Sequence, residues 1–211
     1  MPVSFRFLLI LILLSPINLL AQDNNKNEPG NRKQFIKETR KERVAKDREF
    51  LDPTQSPLPA EEIENFKGLK YFPADTAFKV TATFRRVDMP FTFKMKTTTD
   101  RLPEYRTFAK ITFRLMDTIL SLNVYQNVEL MLKPGYEDYL FVPFTDETSA
   151  EETYGGGRFM DLRQPTGDSI EIDFNKAYNP YCAYNHKYSC PIPPSENHLP
   201  IRIKAGEKKY D

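Results

Sequence analysis

Tryptophan is absent from the 211 residues, and cysteine and histidine occur only twice each. So few thiols and imidazoles leave room for one four-ligand zinc set at most, Cys182, His186, Cys190 and His198. Their spacing matches no familiar zinc module, and the prolines after Cys190 restrict convergence, so no metal is assigned. An excess of charge is also missing: 30 Lys and Arg stand against 29 Asp and Glu. That balance argues against nucleic acid or an anionic membrane as the main partner. Long apolar runs are lacking too. The one exception, Phe7–Leu14, is shorter than the roughly 20 residues a membrane span needs. What the chain has instead is 16 Phe and 11 Tyr, a large apolar payload for a single core.

The N-terminal run has the form of an export signal. Arg6 supplies the positive start, Ser15-Pro16 breaks the apolar core, and Ala21 offers a small residue before polar Gln22. Residues 1–21 are therefore expected to be removed, placing the protein in the periplasm or outside the cell. Residues 22–66 read as a polar leader, a charged helical arm and a proline-rich connector, and residues 67–211 as the folded domain. Within the arm, Asn31 to Phe50 is charge-dense and favours helix, with Asn31 as the N-cap. Its apolar residues are too sparse for a broad buried stripe. A solvated or lightly docked helix is expected, and contact with a membrane surface is not favoured because Glu and Asp interrupt the basic face. Ala60 to Phe66 follows as one or two further helical turns.

From Phe78 onward the apolar period becomes two. Phe78, Val80, Ala82 and Phe84 alternate with polar residues, as do Phe91, Phe93 and Met95. Residues 105–126 read as a hairpin turning at Met116-Asp117-Thr118. Tyr139 to Val142 is a more continuous apolar run, expected to be a central strand. Phe159 to Arg163 and Ile170 to Phe174 are expected to pair as a hairpin about Pro165-Thr166-Gly167-Asp168, with a last strand at Pro200 to Lys204. The fold class is mainly β: an antiparallel barrel or sandwich preceded by a short N-terminal helical arm.

The last third concentrates the chemistry-bearing residues. Three glycines, Gly155, Gly156 and Gly157, permit positive φ and close backbone approach. They lead into a strand-like stretch and not a helix, which favours a strand bulge over a phosphate cradle. Arg158 is either an anion-binding fork or a structural partner of Glu152, Asp161 or Asp173. If the non-core face of the Asp173–Asn175 strand lines a barrel mouth, Glu152, Asp161 and Asp173 form a carboxylate cluster fit for acid–base work, joined by Asn175 and Asn179. The alternative for Asn175, Asn179, Asn185 and Asn197 is scaffolding of backbone turns. Cys182 and Cys190 suit a disulfide in an exported protein, worth about 2–3 kcal/mol by chain entropy. Zinc, or a Cys182 nucleophile with His186 as base, are the rivals. Tyr178, Tyr181, Tyr184 and Tyr188 could wall a ligand pocket or simply pack their loop.

Tyr154-Gly155-Gly156-Gly157-Arg158, Asp173-Phe174-Asn175, Ala177-Tyr178-Asn179-Pro180, Cys182-Ala183-Tyr184, Cys190-Pro191 and Ala205-Gly206-Glu207-Lys208 stand in that order. Together with Lys67-Gly68-Leu69 and Leu140-Phe141-Val142-Pro143-Phe144, they resemble the bacterial and archaeal family DUF1684. The resemblance runs from about Phe66 to the C-terminus and implies no reaction. Binding of a small molecule, with Tyr154, Gly155, Gly156, Gly157, Arg158, Asn175, Asn179 and Tyr184 as ligand contacts, is the leading expectation. A hydrolase or lyase using Glu152, Asp161 and Asp173, and a structural or interaction module, are the alternatives. No cofactor is implied, and oligomeric state is open.

Overall fold

A computed structural model of the chain describes residues 29–210. The expected export signal, its cleavage point and most of the polar leader lie outside these residues. The arm is helix α1, Pro29–Leu51. It begins before Asn31, which lies inside it and is not the cap. A single turn, α2 (Ala60–Ile63), follows the proline-rich connector and is shorter than expected. No helix among the described residues is long and apolar enough to cross a membrane.

Eight strands make one curled, mainly antiparallel sheet, a half-barrel. They are β1 (Lys79–Arg86), β2 (Thr92–Lys94), β3 (Glu104–Leu115), β4 (Thr118–Asn127), β5 (Tyr139–Asp146), β6 (Arg158–Arg163), β7 (Ser169–Asp173) and β8 (His198–Leu199). The strand order is β6-β5-β4-β3-β1-β7, with β2 pairing the start of β3 and β8 parallel to β5. The β3–β4 hairpin forms as expected. Met116 and Asp117 both take positive φ, 48° and 62°, giving the tight turn that matches the strand twist.

Three sequence expectations are corrected. Phe159 to Arg163 and Ile170 to Phe174 do not form a hairpin. β6 pairs with β5 and β7 with β1, so the two strands are the opposite edges of the curl. Residues 200–204 are not a strand: only His198 and Leu199 pair, with β5, although Ile203 and Ala205 are fully buried. Phe91 is exposed and β2 is only three residues long, so the apolar alternation there serves Met95, which is buried.

Period-two alternation directs one face of each strand into the main core, where Phe84, Ile111, Phe113, Leu122, Val142 and Phe144 meet. The opposite face is not uniformly wet. At β4, β5 and β6 it carries a second core of Tyr125, Phe141, Phe159, Cys182 and Cys190. A third cluster, Phe50, Leu58, Phe66 and Tyr184, fastens the end of α1 to the C-terminal loop. The rest of α1 docks through polar contacts. Arg43 donates to the Phe72 carbonyl at 2.9 Å, and Asp47 accepts from the Leu69 amide at 2.9 Å. This explains how a helix without a broad apolar stripe sits on the domain.

Candidate functional site

The residues singled out around the glycines turn out to form the scaffold of the C-terminal third. Gly155 and Gly156 lie in a turn before β6, closed by the Gly157 amide donating to the Tyr154 carbonyl at 3.0 Å, and not in a bulge within a strand. Gly157 has φ +86°, and a side-chain carbon there would come within 2.6 Å of the Phe144 carbonyl oxygen. A residue without Cβ lets the start of β6 close against β5.

Arg158, at the first position of β6, is buried with 1% exposure, and its side chain turns inward. Its Nη2 donates to Asp146 Oδ2 at 2.8 Å and to the Ile203 carbonyl at 2.9 Å. Its Nη1 donates to the carbonyls of Ala205 and Glu207. The ion-pair partner is therefore Asp146, at the end of β5, and none of the three expected carboxylates. Asp146 in turn accepts from the Thr148 amide and hydroxyl and from the Ile203 amide. Burial lowers the Arg158 pKa, and Asp146 opposes that shift. The group ties β5, β6 and the segment 203–207 together and has no donor turned toward an open site.

Glu207 is the other buried hub. Its Oε2 accepts from the Asn179 amide at 2.7 Å and from the Tyr184 hydroxyl at 2.6 Å. Its Oε1 meets Lys46 of α1 at 2.7 Å as an ion pair, off the direction of a hydrogen bond. Asn179 also donates to the Lys208 carbonyl, and Asn175 bridges both backbone groups of Asp75. Asn197 does the same for Asn123 and also reaches the Pro143 carbonyl. These amides are scaffolding, but they tie distant backbone segments together and do not close local turns.

The carboxylate cluster does not assemble. Glu152 pairs with Arg202 at 2.6 Å and Lys204 at 3.5 Å. Asp173 caps the turn at Asn175. Asp161 lies on the outer face of β6, directly opposite Phe141, with two tyrosines for company. Three carboxylates with three separate sets of partners cannot share a proton or a substrate. Among the described residues no group of three or more His, Cys, Asp and Glu side chains is placed to hold a metal ion. His198 bonds Thr145 and Glu147 instead of joining the cysteines.

Cys182 and Cys190 are neighbours in the second core but stand as two buried thiols and not as a bonded pair. The Cys182 amide donates to Cys190 Sγ at 3.1 Å. The hydrogen bond from Cys190, helped by Tyr154 and Thr98, draws Cys182 down from 9.0 to about 6 against the opposing effect of burial. The same bond pushes Cys190 up. A thiol with a lowered folded value contributes stability that is fully present above its unfolded pKa and is lost as pH falls through the folded one. Cys190, shifted the other way, opposes this only above the ordinary thiol value. The dithiol protein is thus expected to gain urea stability from about pH 6 to pH 9 relative to a C182S/C190S variant. An oxidised pair would show no such rise.

An open cleft of about 760 Å³ lies on the outer face of β5 and β6, roofed by α1 and flanked by the loop 178–191. Phe141 and Phe159 form its floor, edge to face at 4.8 Å between ring centres. Tyr139, Tyr178, Tyr181 and Tyr188 wall it, with Tyr105 beside them. Asp161 stands among these rings. Its Oδ1 accepts from the Tyr139 hydroxyl at 2.6 Å and the Tyr178 hydroxyl at 2.7 Å. Burial, and then the Asp161 charge, push both tyrosines well above their ordinary pKa, so they stay protonated donors. From α1 come Glu42, Lys46, Glu49 and Phe50. Lys46 lies 4.6 Å over the Tyr178 ring.

Of the residues named from sequence, Asp161, Cys190, Tyr178, Tyr181 and Tyr188 line this cleft. None of Tyr154, Gly155, Gly156, Gly157, Arg158, Asn175, Asn179 and Tyr184 does. The missed contributors include Tyr105, Tyr139, Phe141 and Phe159 from the sheet and Glu42, Ala45, Lys46, Glu49 and Phe50 from α1. A usable signal was present for the sheet residues: β5 is apolar on both of its faces, so its outer face had to meet something other than water.

Residues 64–208 match the family model described as a protein of unknown function, DUF1684. The chain belongs to the DUF1684 family. The solution NMR structure of an uncharacterized protein from Haloarcula marismortui is similar, with 35% identity and a TM-score of 0.65 over 86% of this chain and 97% of that one. That coverage exceeds what residues 64–208 contain, so the likeness to this neighbour extends upstream of the family segment. No curated protein matches the chain.

Proposed function

We propose that this DUF1684 protein is exported and binds a small organic molecule in the aromatic cleft between the outer sheet face and α1. The observation that carries the binding is the cleft itself. Its volume, about 760 Å³, lies in the range of ligand pockets, and it combines an apolar aromatic floor with one carboxylate oriented by two hydroxyl donors. Export is supported by the short apolar run and Ala21 within residues 1–21. An oxidising compartment would allow the adjacent Cys182 and Cys190 to close a disulfide at the cleft wall.

A soluble fragment library screened against the protein by saturation-transfer NMR tests the binding. Tyr181 is the variant of choice, since it is half exposed at the cleft and not part of the core. Tyr181→Ala is expected to weaken the hits by about three- to tenfold, the worth of one aromatic contact. If no fragment binds, or the hits bind the variant unchanged, the cleft is not a ligand site. The mass of the protein recovered from the producing cell tests the rest: a chain beginning at Gln22 and lighter by two hydrogens is expected.

A further inference from the structure

We propose that the ligand of the cleft is an organic cation, a primary or quaternary amine with an apolar body, held by tyrosine faces and the Asp161 carboxylate. This assignment rests on the cleft being a ligand site and adds the charge of what enters it.

The reasoning starts from which charges in the cleft are already matched. Lys46 is the one basic residue that lines it, and its ammonium is held by Glu207 at 2.7 Å and by the Tyr178 ring. Glu42 is paired with Lys176 at 2.8 Å. Glu49 and Asp161 have no ion-pair partner among the described residues, and both are exposed to the cleft. Both bonds that Asp161 accepts fall on Oδ1, so Oδ2 accepts none from the described residues. A carboxylate oriented by two donors, with one oxygen open, matches an N–H⁺ or the methyl rim of an ammonium.

The rings supply the second half of the site. Tyr181 and Tyr188 pack tilted at 5.2 Å between centres, on the same side as Glu49. After burial, Glu49, Tyr188 and Asp161 are what raise the Tyr181 hydroxyl, so the negative field of both unpaired acids converges at that ring. A cation over a tyrosine face gains most where water is excluded, and the Lys46–Tyr178 contact is an internal instance of that pairing in the same cleft. An anion would meet two unpaired carboxylates and no uncommitted lining cation.

Three probes of one shape decide the charge: benzylammonium, benzyl alcohol and benzoate, titrated against the full chain at low salt by tyrosine chemical shifts. Benzylammonium is expected to bind at least about tenfold more tightly than benzoate, and about fivefold more tightly than the alcohol. Asp161→Asn should abolish most of that preference, weakening the ammonium far more than the alcohol. Glu49→Gln, at an exposed position where α1 faces the cleft, should reduce it by about two- to threefold. Equal binding of alcohol and ammonium, with no effect of either variant, overturns the cation assignment and leaves a neutral-ligand cleft. Tighter binding of benzoate overturns it as well. Should none of the three bind while other fragments do, the cation assignment falls and the cleft stands; should nothing bind, both fall.

Discussion

Arg158→Ala is expected to cost about 3–5 kcal/mol of folding stability, the typical penalty for breaking a buried ion pair from one side. The substitution leaves the Asp146 carboxylate, which is fully buried, without its counter-charge. It also strips the carbonyls of Ile203, Ala205 and Glu207 of their donors in one step. Arg158→Lys should recover only part of the loss, since one ammonium cannot reproduce a planar fork that reaches Asp146 and three carbonyls at once. Removing both charges, as Arg158→Met with Asp146→Leu, should be milder than Arg158→Ala alone. Urea unfolding followed by tyrosine fluorescence reads all three. A loss below about 1 kcal/mol for Arg158→Ala, the size seen for exposed pairs, would mean that the guanidinium is free, and would revive it as an anion-binding group.

Glu207→Ala should be the second most damaging single change, at about 2–4 kcal/mol, because it orphans the buried Tyr184 hydroxyl and the Asn179 amide together. It differs from Arg158→Ala in what it releases. Lys46 loses its partner, and with it α1 loses an ion pair that anchors it beside the cleft. Hydrogen exchange is therefore expected to rise along α1 in the variant, more than in the main-core strands β3 and β4. Glu207→Gln keeps an acceptor for Tyr184 and gives up only the charge, so it should lie between the wild type and the alanine variant. Uniform loss of protection across sheet and helix would show that Glu207 supports the fold as a whole and does not hold α1.

Both residues stand in the motifs that carry the family resemblance, yet their role is scaffolding. Tyr154-Gly155-Gly156-Gly157-Arg158 and Ala205-Gly206-Glu207-Lys208 meet because Arg158 donates to the Ala205 and Glu207 carbonyls. Gly206, at φ +77°, passes where a side chain would strike the Ala177 carbonyl oxygen at 2.5 Å. Glycine is required there for the approach of two backbones. Motif density in a loop-rich segment pointed to a binding site, whereas here it marks a segment held by side chains in place of a regular strand ladder. The cleft proposed as the binding surface lies elsewhere, on the ring-rich outer face of β5 and β6.

What the chain determines by itself is local. Alternation of period two depends only on neighbouring residues, so most of the strands and their inward faces, the Met116-Asp117 turn and the mainly β class were legible in the sequence, the strand expected at residues 200–204 being the exception. The polar composition of α1 likewise foretold a helix without a buried stripe. The tertiary structure decided everything that depends on distant partners. β6 and β7 are short strands joined by a turn-like sequence and look like a hairpin, but each completes a different edge of the curl. Asp146 as the partner of Arg158, Glu207 as the anchor of Lys46, and Asp161 between Tyr139 and Tyr178 are separated in sequence and brought together by β5–β6 pairing, by the loop alongside β6 and by the docking of α1. The cleft follows the same logic. It arises where a sheet face, a helix and an irregular loop converge, and that convergence is set by how the outer face of β5 and β6 is covered.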